Sequence, residues 1–153
     1  MNVVSNSSPL VALSWLDQLI LLQQMFETVS IPDAVYRETV IQNRYQPQRT
    51  RIQSAVDTFI TVLTPKVHHL FSRSLGDGEQ GVLNLGLEQQ PDIVLLDDKK
   101  ARNEATELGL IPVFTSDVLK RAAKLGFLAS YQDAMQNLEA QDVYLPEGRE
   151  TML

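Results

Sequence analysis

Four consecutive apolar residues, Ile93-Val94-Leu95-Leu96, run without a polar break into two adjacent aspartates, Asp97 and Asp98. A strand that alternates polar and apolar residues can keep one face in water. An unbroken run has no face to spare, and it belongs in a parallel sheet covered by helices on both sides. The rest of the chain agrees with that constraint. Val3-Val4, "TVSIP" at 28–32, "FITVL" at 59–63 and "IPVF" at 111–114 read as further short strands. Between them lie helical patterns. Pro9 suits the first turn of a helix capped by Ser8 and carrying Leu10, Leu13, Trp15 and Leu16, and Asp17 reads as the cap of a second helix bearing Leu19, Leu22, Met25 and Phe26. A helix from Pro32 carries Val35, Tyr36, Thr39 and Val40. "NRYQPQRTR" is polar, holds Pro47 and reads as a connection, after which helical spacing resumes at Ile52, Ala55 and Phe59. "LGDGEQGVLNLGL" opens on glycine turns and becomes helical. A helix over 99–108 turns Ala101, Ala105 and Leu108 inward and stops at Gly109. Two more helices are expected, at about 116–125 and 131–138, whereas the tail from Gln141 shows no pattern. Strands alternating with helices predict an α/β fold with a mainly parallel sheet, and 153 residues are the size of one domain spanning 1–153.

In open sheets of this kind a ligand sits beyond the carboxyl ends of the strands. Asn6 follows the first strand and Asp97-Asp98 follow the strand at 93–96, so both stand on one rim if those strands are parallel neighbours. Two ionised carboxylates about 5 Å apart repel by about 3 kcal/mol at an effective dielectric near 20, which solvent or a positive partner must relieve. Helical spacing adds two acids. Glu79 shares the apolar face of Val82 and Leu83, and Glu38 shares that of Ala34, Val35 and Ile41. An inward carboxylate is costly unless it is hydrogen-bonded, paired or bound to a metal.

Each acid also has a plainer reading. Asp98 reads as the cap of the helix at 99–108, Asp97 as a solvated turn residue, and Glu79 as a surface acid complementing its helix dipole. Glu38 reads as a partner of Arg37 or Arg44, Asp77 as a capping-box residue with Gln80, and Asp117 as a further helix cap. His68 and His69 are adjacent and diverge on a helix, which argues against a metal pair. The joint placement of the acids is what points to a site. Ligands that are all oxygen suit Mg²⁺ or Mn²⁺, ions that polarise a phosphodiester and stabilise its leaving oxygen.

The formal net charge of −6 disfavours a general nucleic-acid binder, yet cations cluster at Arg44, Arg49 and Arg51, at Lys99, Lys100 and Arg102, and at Lys120, Arg121 and Lys124. The chain has no cysteine, no signal-peptide pattern and no apolar run of bilayer length, so a soluble cytoplasmic protein without a membrane partner is expected. No G-x-x-x-x-G-K-[ST] or G-x-G-x-x-G motif is present, which leaves nucleotide binding by those routes unsupported. A phosphoacceptor receiver domain would place its acid pair after the first strand and a lysine after a late one, where this chain has Asn6 and Thr115-Ser116.

"VVSNSSPLVAL", "IPDAVYRETV", "LGDGEQGVLNLGLE" and "VLLDDKKARNEATELGL", in that order through most of residues 1–125, resemble the PIN-domain nucleases, and most closely a VapC-like prokaryotic branch. The resemblance implies a three-layer α/β/α fold around a parallel sheet and an acid cluster holding Mg²⁺ or Mn²⁺. It also implies cleavage of single-stranded RNA, often as the toxin partnered by an antitoxin protein, and frequent homodimers. By position it makes Glu38, Glu79 and Asp98 the catalytic and metal-binding acids, with Asp97 beside Asp98 as an assisting or substitute metal ligand and with Ser8 ordering the site. Asn6 stands where the family's first acid stands; its carbonyl can ligate a hard cation but brings no charge. Arg44, Arg49, Arg51, Lys99, Lys100 and Arg102 would then meet RNA phosphates, and Tyr45 a base. A second expectation keeps the same fold without cleavage, as a weakened module that binds RNA or a protein partner.

Overall fold

The computed structural model describes residues 1–148 and 153. The expected domain span of 1–153 therefore includes four positions, 149–152, that lie outside the described residues. Five strands, β1 (Asn2–Ser5), β2 (Thr28–Pro32), β3 (Ile60–Leu63), β4 (Ile93–Leu95) and β5 (Pro112–Val113), form one sheet in the order β3-β2-β1-β4-β5. All four pairings are parallel, with Val4 opposite both Ser30 and Val94, and Ser5 opposite Leu95. The chain steps outward from β1 to β3, then returns to β4 on the other side of β1. Right-handed crossovers in opposite directions put their helices on opposite faces. Helices α1 (Ser7–Trp15), α2 (Ile20–Met25) and α4 (Gln46–Thr58) follow the outward steps, while α5 (Asp77–Gln89) and α6 (Lys99–Glu107) follow the return. Helix α7 (Thr115–Lys124) packs back on α1, and α8 (Tyr131–Ala140) packs on α7. The result is the expected three-layer α/β/α arrangement. Both inner faces of the sheet are dry: Val3, Val4, Ile31, Val94, Leu95 and Leu96 are all buried. Among the described residues no helix is long and apolar enough to cross a membrane.

Several local expectations are corrected. Pro47 lies in the first turn of α4, where its missing N–H is not needed, so Arg49 and Arg51 ride on a helix rather than a connection. Helix α1 starts at Ser7, with Asn6 in the capping position, and Pro9 still falls in the first turn. Asp17 does not cap α2: Gln18 N–H closes α1 onto Leu13 O, which throws Asp17 into a left-handed turn (φ 53°) beside Arg51. Gly76, not Asp77, stands before α5, and Phe114, not Asp117, stands before α7. Gly109 ends α6 at φ 82°, as its spacing predicts, although Leu108 stays exposed.

One buried acid has no signal in the sequence pattern. Glu104 on α6 is 2% exposed, and its carboxylate accepts the Ser72 hydroxyl (2.7 and 3.0 Å), Arg73 N–H (3.2 Å) and Arg73 Nη1 (2.7 Å). Arg73 also donates Nη2 to Glu107 at 2.8 Å. This clasp ties the loop between β3 and α5 to α6. The Ser72 hydroxyl foremost, then Arg73, hold the Glu104 carboxyl below the usual glutamate range. A depressed folded-state value gives stability that is present above the unfolded value and lost as pH falls through the folded one. Glu104→Gln should therefore lower the midpoint of thermal unfolding at neutral pH. Melting curves taken down an acid series should show the gap to the parent chain closing below the ordinary glutamate range; a gap that stays constant would refute the linkage.

Candidate functional site

The site assembles on the rim where the chain reverses, at the carboxyl ends of β1 and β4. Asn6 leaves β1 with its N–H on Leu95 O at 3.1 Å, so the two strand ends are locked side by side. Its side chain makes no capping bond to α1, and the amide Oδ1 is buried with no hydrogen-bond partner among the described residues. Such an orphan is uncommon in a folded interior and calls for a ligand.

Glu38 arrives from the other side. A short helix α3 (Asp33–Tyr36) runs into a π-helical turn, Arg37–Ile41, closed by Gln42 N–H on Arg37 O at 2.7 Å. Such widened turns recur at functional sites because they re-aim a side chain. The Glu38 carboxylate takes the Ser7 hydroxyl on Oε2 (2.6 Å) and Gly78 N–H on Oε1 (3.1 Å). A Cβ on Gly78 would stand 2.8 and 2.9 Å from the two Glu38 oxygens and 3.0 Å from Asn6 Oδ1. Three oxygens from two side chains, Glu38 and Asn6, thus converge on one point, and the bare Cα of Gly78 is what leaves room for them. Neither Arg37 nor Arg44 pairs with Glu38; Arg37 bonds Asp33 instead, at 2.9 Å.

The other expected acids stand on the same rim but point differently. Glu79 curls back toward the start of α5, its Oε2 3.0 Å from where a Cβ on Gly76 would stand. Asp98 is exposed and caps α6, Oδ2 accepting Ala101 N–H at 3.0 Å. Asp97 accepts three donors: the Ser8 hydroxyl (2.5 Å), Thr115 N–H (2.9 Å) and the Thr115 hydroxyl (2.8 Å). Ser8 thus ties α1 to the end of β4. Among the described residues no group of three or more His, Cys, Asp or Glu side chains gathers as a metal cage. What is gathered is an oxygen-only pair, the Asn6 amide and the Glu38 carboxylate, with the Asn6 carbonyl oxygen unpartnered among the described residues. That chemistry fits Mg²⁺ or Mn²⁺, ions that keep several waters and need only one or two protein carboxylates.

The cations divide. Arg102 donates Nη1 to Leu96 O (2.9 Å) and lies 3.4 Å over the Phe114 ring. Burial pushes its guanidinium below the usual arginine value, against the charges of Asp97 and Asp117. Arg51 bonds Ser14 O and sits near Asp17, and Arg49 makes a long bond to Asn43 O. Tyr45 stacks on Trp15, with centroids 5.0 Å apart. Lys99 and Lys100, beside Asp98, and Arg44 are exposed and unpaired among the described residues. Two features escaped the sequence reading. Gly78 looked like a turn glycine, although its place three residues from Gly81 on a helix facing Glu38 was a signal of close approach. Asp117 is 1% exposed with Oδ1 unpartnered among the described residues, and nothing in its spacing distinguishes it from a cap.

Among curated proteins nothing matches the chain. A PilT N-terminus domain protein, SSO1118 from the hyperthermophilic archaeon Sulfolobus solfataricus P2, has a similar structure. The TM-score is 0.54 at 17% identity, over 80% of this chain and 93% of that one, a likeness of fold alone. A family model, DUF3368, described as a PIN domain, matches residues 2–150, nearly the whole sequence. With the parallel five-stranded sheet and its rim already in place, that match settles the family: the chain belongs to the PIN domains.

Proposed function

We propose that this chain is a metal-dependent endoribonuclease that cuts single-stranded RNA and serves as the toxin of a toxin–antitoxin pair. PIN domains are in general metal-dependent nucleases. The observation that carries the reading is the buried, unpartnered Asn6 Oδ1 facing the Glu38 carboxylate over Gly78. Asn6 and Glu38 would hold Mg²⁺ or Mn²⁺, with Glu79 and Asp98 turning in from the same rim. When bound, the ion supplies Lewis-acid polarisation of a phosphodiester and stabilises its leaving oxygen. The chain's own residues fix the donors: Ser7 and Gly78 orient Glu38, and Asp97, gripped by Ser8 and Thr115, holds β4 to α1 and α7. Lys99, Lys100 and Arg44 are free to meet RNA phosphates, while Arg49, Arg51 and Arg102 add positive charge from anchored positions. The antitoxin partner, the homodimer and the cytoplasmic location rest on the VapC-like resemblance.

One observation favours a second reading, a PIN module that binds RNA or a protein without cutting. Asn6 is uncharged, and the Glu79 and Asp98 carboxylates are turned to their own helix starts. Calorimetric titration with Mn²⁺, paired with cleavage of single-stranded RNA, separates the two. The nuclease should bind Mn²⁺ below millimolar and cut RNA, and Glu79→Gln should weaken the metal about tenfold and cleavage with it. No metal uptake at millimolar Mn²⁺, or RNA cut equally well by Glu79→Gln, would overturn the assignment.

A further inference from the structure

We infer that the groove beside the Asn6–Glu38 pocket is a guanine subsite for the nucleotide next to the cut phosphate. The inference rests on the ribonuclease reading and names the base that site prefers. Helices α3 and α5 pack along a seam closed by Gly81: a Cβ there would stand 2.9 Å from Pro32 Cβ and 3.7 Å from Ala34 Cβ. Glu38 and Gly78 lie on the same seam, four and three residues away, about one helical turn or 5 Å along it. A cavity of about 240 Å³ opens on this seam over Ala34 and Gly81, room enough for one nucleobase. Two charged groups of its wall are sequence neighbours of the pocket, Arg37 before Glu38 and Asp77 before Gly78. Of the other polar side chains there, Asp33 is engaged with Arg37, Gln80 Nε2 with Leu75 O and Asn84 Oδ1 with His69.

The wall chemistry selects a base. Asp77 is exposed and no described residue bonds its carboxylate, so two acceptors stand side by side. Guanine is the base whose Watson–Crick edge offers two adjacent donors, N1–H and the N2 amine. Arg37 is splinted by Asp33 through Nη1 at 2.9 Å, which leaves its other N–H groups free for O6 and N7, the pairing arginine makes with guanine. Adenine would set its N6 amine against Arg37. Uracil would set carbonyls against Asp77. His68 supplies a flat face for stacking. Its loop is pinned on both sides, by Lys66 N–H on Glu88 (2.8 Å) and by His69 N–H on Asn84 Oδ1 (3.0 Å).

The test is an NMR titration of the full chain with GMP, IMP, AMP, CMP and UMP in turn. GMP should bind about tenfold tighter than the others, including IMP, which lacks only the N2 amine. Asp77→Asn, which exchanges one acceptor for a donor, should erase that preference, and His68→Ala should weaken all five while keeping their order. Equal affinity for GMP and AMP, or an undiminished GMP preference in Asp77→Asn, would sink the subsite. The two readings fail separately. A chain that prefers GMP yet cuts no RNA with Mn²⁺ keeps the subsite and loses the nuclease; one that cuts RNA with no preference for guanine at the scissile position keeps the nuclease and loses the subsite.

Discussion

Gly78→Ala should leave the protein folded and lower the proposed metal binding and RNA cleavage by about three powers of ten, or roughly 4 kcal/mol. The added methyl would stand 2.8 and 2.9 Å from the Glu38 oxygens and 3.0 Å from Asn6 Oδ1, closer than carbon and oxygen tolerate. Relief requires the Glu38 carboxylate to swing off the Ser7 hydroxyl and Gly78 N–H, and the Asn6 amide, whose backbone alone is held by the β1–β4 ladder, to turn away from it. A shift of even an ångström in donor position costs about a hundredfold, and here both floor donors shift together. Stability moves the other way. Gly78 sits in the first turn of α5 with no positive φ, where alanine reduces unfolded-chain entropy by about 0.4–1 kcal/mol and offsets part of the strain. Circular dichroism melting and Mn²⁺ calorimetry on one preparation read both effects. A variant that melts normally and still binds Mn²⁺ like the parent would place the metal elsewhere.

The sequence announced the architecture because the relevant signals are local. An unbroken apolar run at 93–96 demands a two-sided strand, and Gly109 marks a helix stop from its own conformational freedom. The rim was legible too, since a parallel β1–β4 pairing is all that is needed to bring Asn6 beside Asp97 and Asp98. What stayed hidden depends on distant partners. The π-helical turn at Arg37–Ile41 re-aims Glu38 and has no residue signature. Glu104 looks like any helix-surface acid until Ser72 and Arg73 close over it from 32 and 31 residues away. Pro47 breaks helices in their interior but opens them in the first turn, and position relative to an unseen helix start decides between the two. The direction of the Glu79 and Asp98 carboxylates is set by the starts of their own helices, a competition that spacing alone does not reveal.

Asp97→Ala should cost about 3 kcal/mol and lower the unfolding midpoint by about 10 °C. The resemblance makes Asp97 a companion ligand to Asp98, but its carboxylate already accepts three donors from two other elements. Thr115 is fully buried, so losing the acceptor strands both its N–H and its hydroxyl away from water, and a stranded buried donor carries its whole desolvation cost. The Ser8 hydroxyl, half-buried, loses its acceptor as well, and Arg102 loses one of the two carboxylates that offset its burial. Asp97→Asn separates strut from ligand. Its amide keeps one acceptor and turns the other into a donor facing donors, so the fold should weaken by an intermediate amount. A strut predicts that Mn²⁺ affinity, measured well below the melting range, stays within about twofold of the parent in Asp97→Asn. A ligand predicts a loss of at least the roughly tenfold that removing even an outer partner of a metal ligand costs. An Asp97→Ala chain with the parent's melting point would dispose of the strut, because three hydrogen bonds to one charged group cannot vanish from a buried junction without effect.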